Sequence, residues 1–129
     1  MKITILGAAG GEVTGSAYLV QTEKTAILID AGMFQGGKEA DNKNKLQNDA
    51  NPAKLHAILL THGHLDHSGR IPLLIKYGFK GPVYSTEESL ELAQIILEDS
   101  ARLQIADAMR HNRKHWKPGK APAEPLYSS

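Results

Sequence analysis

The stretch Thr61-His62-Gly63-His64-Leu65-Asp66-His67 packs three imidazoles and a carboxylate into six residues, directly after the apolar run Ala57-Ile58-Leu59-Leu60. Neutral imidazole and carboxylate are the usual ligands of zinc, manganese or iron where no thiolate is at hand. The chain has no cysteine, so thiolate sites and a disulfide framework are excluded. A lone histidine in a loop is normally a solvated polar group. Four ligand-type side chains at this density, at a strand end, point instead to metal binding. His62 and His64, two residues apart in an extended loop, can present their rings to one ion. Asp66 and His67, at the turn into a helix, can reach a neighbouring ion. Two cations about 3.5–4 Å apart bridge a water and lower its pKa toward about 7. The hydroxide so formed suits phosphodiesters, thioesters or lactams.

The elements that must position this cluster can be read on either side of it. Lys2–Leu6 is expected as a short strand, and Gly7–Ser16 as a loop of small residues packing near the metal cleft. Ala17–Thr22 and Thr25–Asp30 read as paired strands joined at Glu23-Lys24, without the usual Asn-Gly or Asp-Gly turn signal. Lys38–Asp49 is polar and reads as a loop or a weakly held helix. His56–Thr61 is a strand delivering the histidines. Ser68 to about Tyr77 reads as a helix with Pro72 in its first turn and Gly78 as its cap. Pro82–Ser85 is another short strand. Thr86 then caps a long helix reaching Asn112 or beyond. On it, Leu90, Ala93, Leu97, Ala101 and Gln104 form one row, and Leu92, Ile96, Leu103 and Ala106 a second. Strands first, then alternating strand and helix, argue for an α/β or α+β layer sandwich.

The totals bound the rest. A chain of 129 residues fits one domain or a piece of a larger one. Formal net charge is +1, so no global field steers nucleic acid. No run approaches the roughly 20 apolar residues of a membrane span. The interrupted Met1–Leu6 is too short for a signal segment. Lack of cysteine fits a cytoplasmic protein.

The pattern His62-x-His64-x-Asp66-His67 resembles the signature loop of the metallo-β-lactamase superfamily. The segments Gly7-Ala8-Ala9, Glu12–Ser16, Leu28–Gly36, Leu60–Pro72, Gly81–Thr86 and Leu97–Ala101 resemble its β-CASP branch of RNA-processing nucleases, of the cleavage-and-polyadenylation type. The resemblance covers roughly residues 2–110. It implies an αββα sandwich, two zinc ions and metal-dependent hydrolysis of RNA phosphodiesters by a metal-bound hydroxide. By position it implies that His62 and His64 hold one metal, that Asp66 and His67 hold the other, and that Asp66 also orients the attacking hydroxide. Asp30 matches an acid that supports the ligand loop from behind, as such partners fix ring orientation and ligand basicity; otherwise it is an ordinary acid capping the turn at Ala31-Gly32.

A catalytic zinc keeps about three protein ligands and an open position, so two ions want about six where the cluster offers four. In the family the others, a distal histidine, a bridging aspartate and a final histidine, come from later segments, as does the insertion that closes over RNA. The expectation is therefore an incomplete N-terminal part of the sandwich over residues 1–110, followed by a basic, proline-containing tail over 111–129. A homodimer or a complementary segment would complete the domain. Two other readings stand beside the nuclease. One is a thioester or lactam hydrolase of the same fold. The other is a truncated, catalytically incomplete segment that binds metal weakly and exposes a sheet edge and apolar surface. His111 and His115 could share a helix face, but the charges of Arg110, Arg113, Lys114 and Lys117 oppose a dication there. His56 reads as a surface residue. The basic end with Trp116 offers phosphate contacts and a stacking face, or simply complements the dipole of its helix.

Overall fold

A computed structural model describes residues 1–45 and 51–128. Its sheet has five strands in sequence order: β1 (Lys2–Ile5), β2 (Tyr18–Gln21), β3 (Ala26–Ile29), β4 (Ala57–Leu59) and β5 (Val83–Tyr84). The β1/β2 and β2/β3 pairs are antiparallel, and the β3/β4 and β4/β5 pairs are parallel. The β2–β3 hairpin closes without a glycine. The Thr22 amide donates to the Thr25 carbonyl at 2.8 Å, and the Thr25 amide donates to the Thr22 hydroxyl at 3.1 Å. His56, exposed as expected, still has a task, because its Nδ1 accepts the Ala26 amide at 3.0 Å beside the start of β3.

Helices α1 (Lys38–Lys43), α2 (Leu65–Ser68) and α3 (Ile71–Lys76) lie in the crossovers and α4 (Glu87–His115) follows β5, with a 3-10 turn at Pro52–Lys54. Of the polar stretch Lys38–Asp49, residues 46–49 lie outside the described residues. The helix expected from Ser68 to about Tyr77 is two helices. The first starts at Leu65 and contains Asp66 and His67; the second starts at Ile71. Arg70 divides them, since its amide leaves the helical path to donate to the Ala31 carbonyl at 2.7 Å. Pro72 then opens α3, where its missing N–H costs nothing. Thr86 caps α4, accepting the Ser89 amide at 3.2 Å.

Strand alternation sorts side chains to two faces. Leu19, Leu28 and Ile58 point to one face and are buried with Leu55, Leu60, Ile71, Leu74, Phe79 and Ala93. The opposite face carries Ile3 and Ile5 of β1, Tyr18 and Val20 of β2, Ile27 and Ile29 of β3, Leu59 of β4 and Tyr84 of β5. None of these is buried, and Ile3 and Tyr84 are each 58% exposed. Only the first expected row of α4 turns inward, with Ala93 and Ala101 buried, while Leu92 and Leu103 of the second row are exposed. The boundary expected at residue 110 falls inside α4, which runs on to His115. Beyond it the chain has no helix or strand among the described residues, yet it returns to bury Tyr127 beside Leu73 and Ala101.

Candidate metal centre

Parallel neighbours bring their carboxyl ends together, and ligand sites of open α/β sheets form there. Here Asp30 directly follows β3, and β4 leads into Thr61 and the histidines. The Asp30 amide donates to the Leu59 carbonyl at 2.8 Å, which ties the two strand ends together. Asp30 is 2% exposed and takes the left-handed backbone region at φ 60°. Aspartate tolerates that region better than most side chains, at a cost near 1 kcal/mol. The conformation is matched by full use of the carboxylate. Oδ1 accepts the Thr61 amide at 2.8 Å, and Oδ2 accepts the Thr61 hydroxyl at 2.8 Å and His67 Nδ1–H at 2.7 Å.

These bonds settle the imidazoles. With Nδ1 turned to Asp30, His67 presents Nε2, which lies 3.5 Å from Asp66 Oδ2. The Thr61 hydroxyl, having donated to Asp30, accepts from His62 Nδ1–H at 3.1 Å, so the second ring is pinned through a one-residue relay. The His62 and His67 rings are 3.9 Å apart. One ligand atom from each of His62, Asp66 and His67 lies within 4.8 Å of the other two, the group that could hold a cation. Two imidazoles and a carboxylate suit a borderline divalent transition metal, and the buried acid behind one ring is the usual outer partner of such a ligand. His64 stands apart from this trio. It occupies the cap position before α2, is exposed, and its ring sits edge-on to His62 at 5.0 Å. The grouping is thus His62 with Asp66 and His67, where the sequence suggested His62 with His64.

The turn bearing the ligands is held by backbone on two sides. Ser16 donates to Asp66 O at 2.9 Å, Ala31 to His67 O at 2.9 Å and Met33 to Leu65 O at 3.0 Å. Gly32 packs so closely that a Cβ on it would stand 1.7 Å from the Asp66 carbonyl oxygen. The small-residue loop Gly7–Ser16 therefore reaches the ligand turn through Ser16. On the other flank Gly63 abuts the start of α4, where a Cβ would meet Ala93 N and Ser89 O at 2.8 Å. Arg70 locks the Gly32 side. Its Nε donates to Gly32 O at 2.5 Å, and its guanidinium lies 4.8 Å over the Phe34 ring. Burial pulls that guanidinium down to about 10, which leaves it charged at neutral pH.

Sequence reasoning gave Thr61, Gly32 and Tyr127 no role at this site. Thr61 carried a signal, a hydroxyl between strand and first ligand. Tyr127 carried none. Its hydroxyl donates to Gly69 O at 2.7 Å, at the end of α2, and accepts from the Ser100 hydroxyl at 3.2 Å. Gln104 donates in turn to Ser100 at 3.1 Å and accepts the Leu126 amide at 2.9 Å.

Residues 10–126 match the metallo-beta-lactamase superfamily. Over 103 residues the chain is 47% identical to ribonuclease TTHA0252 of Thermus thermophilus, covering 80% of this chain and 23% of that protein. Over 100 residues it is 37% identical to transcription termination factor FttA of Methanosarcina mazei, covering 77% of this chain and 16% of that protein. The short form of human tRNase Z is a solved structure that overlaps 78% of this chain and 40% of its own, at 23% identity and a TM-score of 0.48. The chain thus spans about a quarter or less of the length of the curated relatives it matches. On the match over residues 10–126, with the imidazole and carboxylate cluster at the ends of two parallel strands, the chain belongs to the metallo-beta-lactamase superfamily.

Proposed function

We propose that this chain supplies part of the metal site of a β-CASP-type nuclease that hydrolyses RNA phosphodiesters. The observation that carries the reading is the convergence of His62, Asp66 and His67 with Asp30 fixed behind them. The relatives named ribonuclease and transcription termination factor favour RNA over a thioester or lactam. Zinc is the cation best suited to two imidazoles and a carboxylate, and a second ion would draw on His64 and on residues beyond this segment. When bound, such cations supply a water of pKa about 7 and Lewis-acid stabilisation of phosphoryl oxygens.

The protein's own contributions are these. Asp30 holds the His67 proton on Nδ1 and so keeps Nε2 as a donor lone pair. Thr61 does the same for His62. Asp66 gives a carboxylate at the mouth of the group, where it can accept a proton from an incoming nucleophile. Arg70, Gly32 and Ser16 keep the turn from shifting as charge changes around it. In this reading a complementary segment or partner copy completes the ligand set, and the protein is cytoplasmic.

Calorimetric titration of the 129-residue chain with zinc tests the binding half. Binding is expected, with a loss of at least about tenfold in His62→Ala or His67→Ala. RNA cleavage by a longer protein carrying this segment, with and without His64→Ala, tests the catalytic half, and unchanged turnover there would remove His64 from the site.

A further inference from the structure

The far end of α4 gathers basic residues. Five of its 15 basic residues, Arg110, Arg113, Lys114, Lys117 and Lys120, fall within eleven positions, with no acid between Ala108 and Ala123. Arg110 pairs with Asp107 at 3.4 Å. Among the described residues the other four have no carboxylate within 4 Å. Dipole complementation explains only part of this, because that effect fades beyond the last turn, and Lys117 and Lys120 lie past the helix end at His115.

The tail gives the end a shape. Asn112 clasps the returning chain, donating to Ala123 O at 2.9 Å and accepting the Ala123 amide at 2.7 Å. Between helix end and tail lies a cavity of about 420 Å³, lined by His111, Asn112, His115, Trp116 and Lys120. Trp116 is 54% exposed at its rim. The rings of His111 and His115 stand 4.9 Å apart, which would suit a chelated cation, but five cations in eleven residues set the local field against one. That field attracts an anion, and the open indole adds a stacking face. Of the five cations Lys120 lines the cavity itself and the others lie along the adjoining helix end and turn; cations beside an exposed aromatic are how single strands are bound without base readout.

We propose that this helix end and its clasped tail form a single-stranded nucleic-acid grip, with Trp116 stacking a base and Arg113, Lys114, Lys117 and Lys120 meeting phosphates. The grip extends the nuclease reading without resting on it, since it needs no metal and lies about 35 Å along α4 from the ligand turn, at 1.5 Å per residue from Ala93 to Trp116.

Trp116 is the only tryptophan, so its emission reports this site. The full chain, in chelator to prevent cleavage, is titrated with a dodecamer of uridine and separately with phosphatidylserine vesicles. Oligouridylate is expected to shift or quench the emission, with a slope of log affinity against log salt near −2.8 for four phosphates at about −0.7 each. Trp116→Ala, checked for helix content, should weaken binding of a labelled oligonucleotide roughly 5- to 150-fold. Lys117→Gln with Lys120→Gln should bring the slope to about −1.4. Unmoved emission with oligouridylate, an unchanged slope in the double variant, or a response to vesicles alone would each overturn the proposal; the last would make the end a membrane-surface contact. Zinc affinity is independent of all three readouts, so failure here and failure of the metal site are told apart.

Discussion

The Asp30 side chain makes more hydrogen bonds at this site than the side chain of His62, Asp66 or His67. Its carboxylate accepts three hydrogen bonds, and through two of them it selects the tautomer of His67 directly and of His62 by way of Thr61. Replacing it with Asn keeps size but substitutes an amide whose NH₂ cannot accept a proton. Asp30→Asn is expected to weaken zinc binding about 10- to 100-fold, read by calorimetry, with helix content retained. Were affinity unchanged, the acid would be a turn cap and nothing more. The cluster itself was legible in the sequence because imidazoles and carboxylates announce themselves by type and density, and three of its four side chains, His62, Asp66 and His67, come together in the fold. Their partition was not, because extended-loop spacing treats His64 as a neighbour of His62, whereas α2 begins one residue after His64 and swings Asp66 and His67 back toward the His62 ring. Thr61 escaped notice since a hydroxyl at a strand end is ordinary until the acid it serves is seen.

At the scale of elements, periodicity located strands and helices well but missed the split at Gly69-Arg70. That break is decided by a tertiary bond from Arg70 to Ala31, which no local pattern encodes. The tail was hidden for the same reason. Three prolines foretell irregular chain, and they say nothing of Tyr127 reaching Gly69 behind the ligand helix. Burial holds the Tyr127 hydroxyl above the ordinary tyrosine value, with its hydrogen bond to Ser100 and the nearby Gln104 amide pulling it partly back. A phenol whose pKa is higher folded than unfolded keeps its proton more firmly in the folded chain. Its contribution is therefore whole below about pH 10 and declines as pH rises beyond that. Tyr127→Phe is expected to cost about 1–2 kcal/mol near neutral pH, from the lost bonds at Gly69 and Ser100. Between pH 9 and 11 its urea-unfolding stability, on a scale of about those same pK values, should fall less steeply than that of the parent. Arg70 contributes the opposite slope above about 10, but equally in both chains, so the difference isolates the phenol.

Among the described residues the sheet is covered on one side. Leu19, Leu28 and Ile58 sit under helices, while Ile3, Ile5, Leu59 and Tyr84 of the other face stand open. A continuous apolar face of this kind marks a surface meant to be covered. The isolated chain is expected to bind a hydrophobic dye and to self-associate in sedimentation runs. Ile3→Thr with Ile5→Thr should reduce both, at a cost within about 0.5 kcal/mol per site because neither side chain is buried. A monomer that ignores the dye would show that the face is wetted without penalty. Alternation along the strands made that face legible in principle, but which side the helices choose is a property of the assembled layers.

The 29-residue helix α4 has a metric consequence. One end abuts Gly63 of the ligand turn and the other carries the indole and the lysines. If the proposals for the two ends both hold, the rod between them is a ruler, and a strand held at both is cut at a length set by turns of helix rather than by its bases.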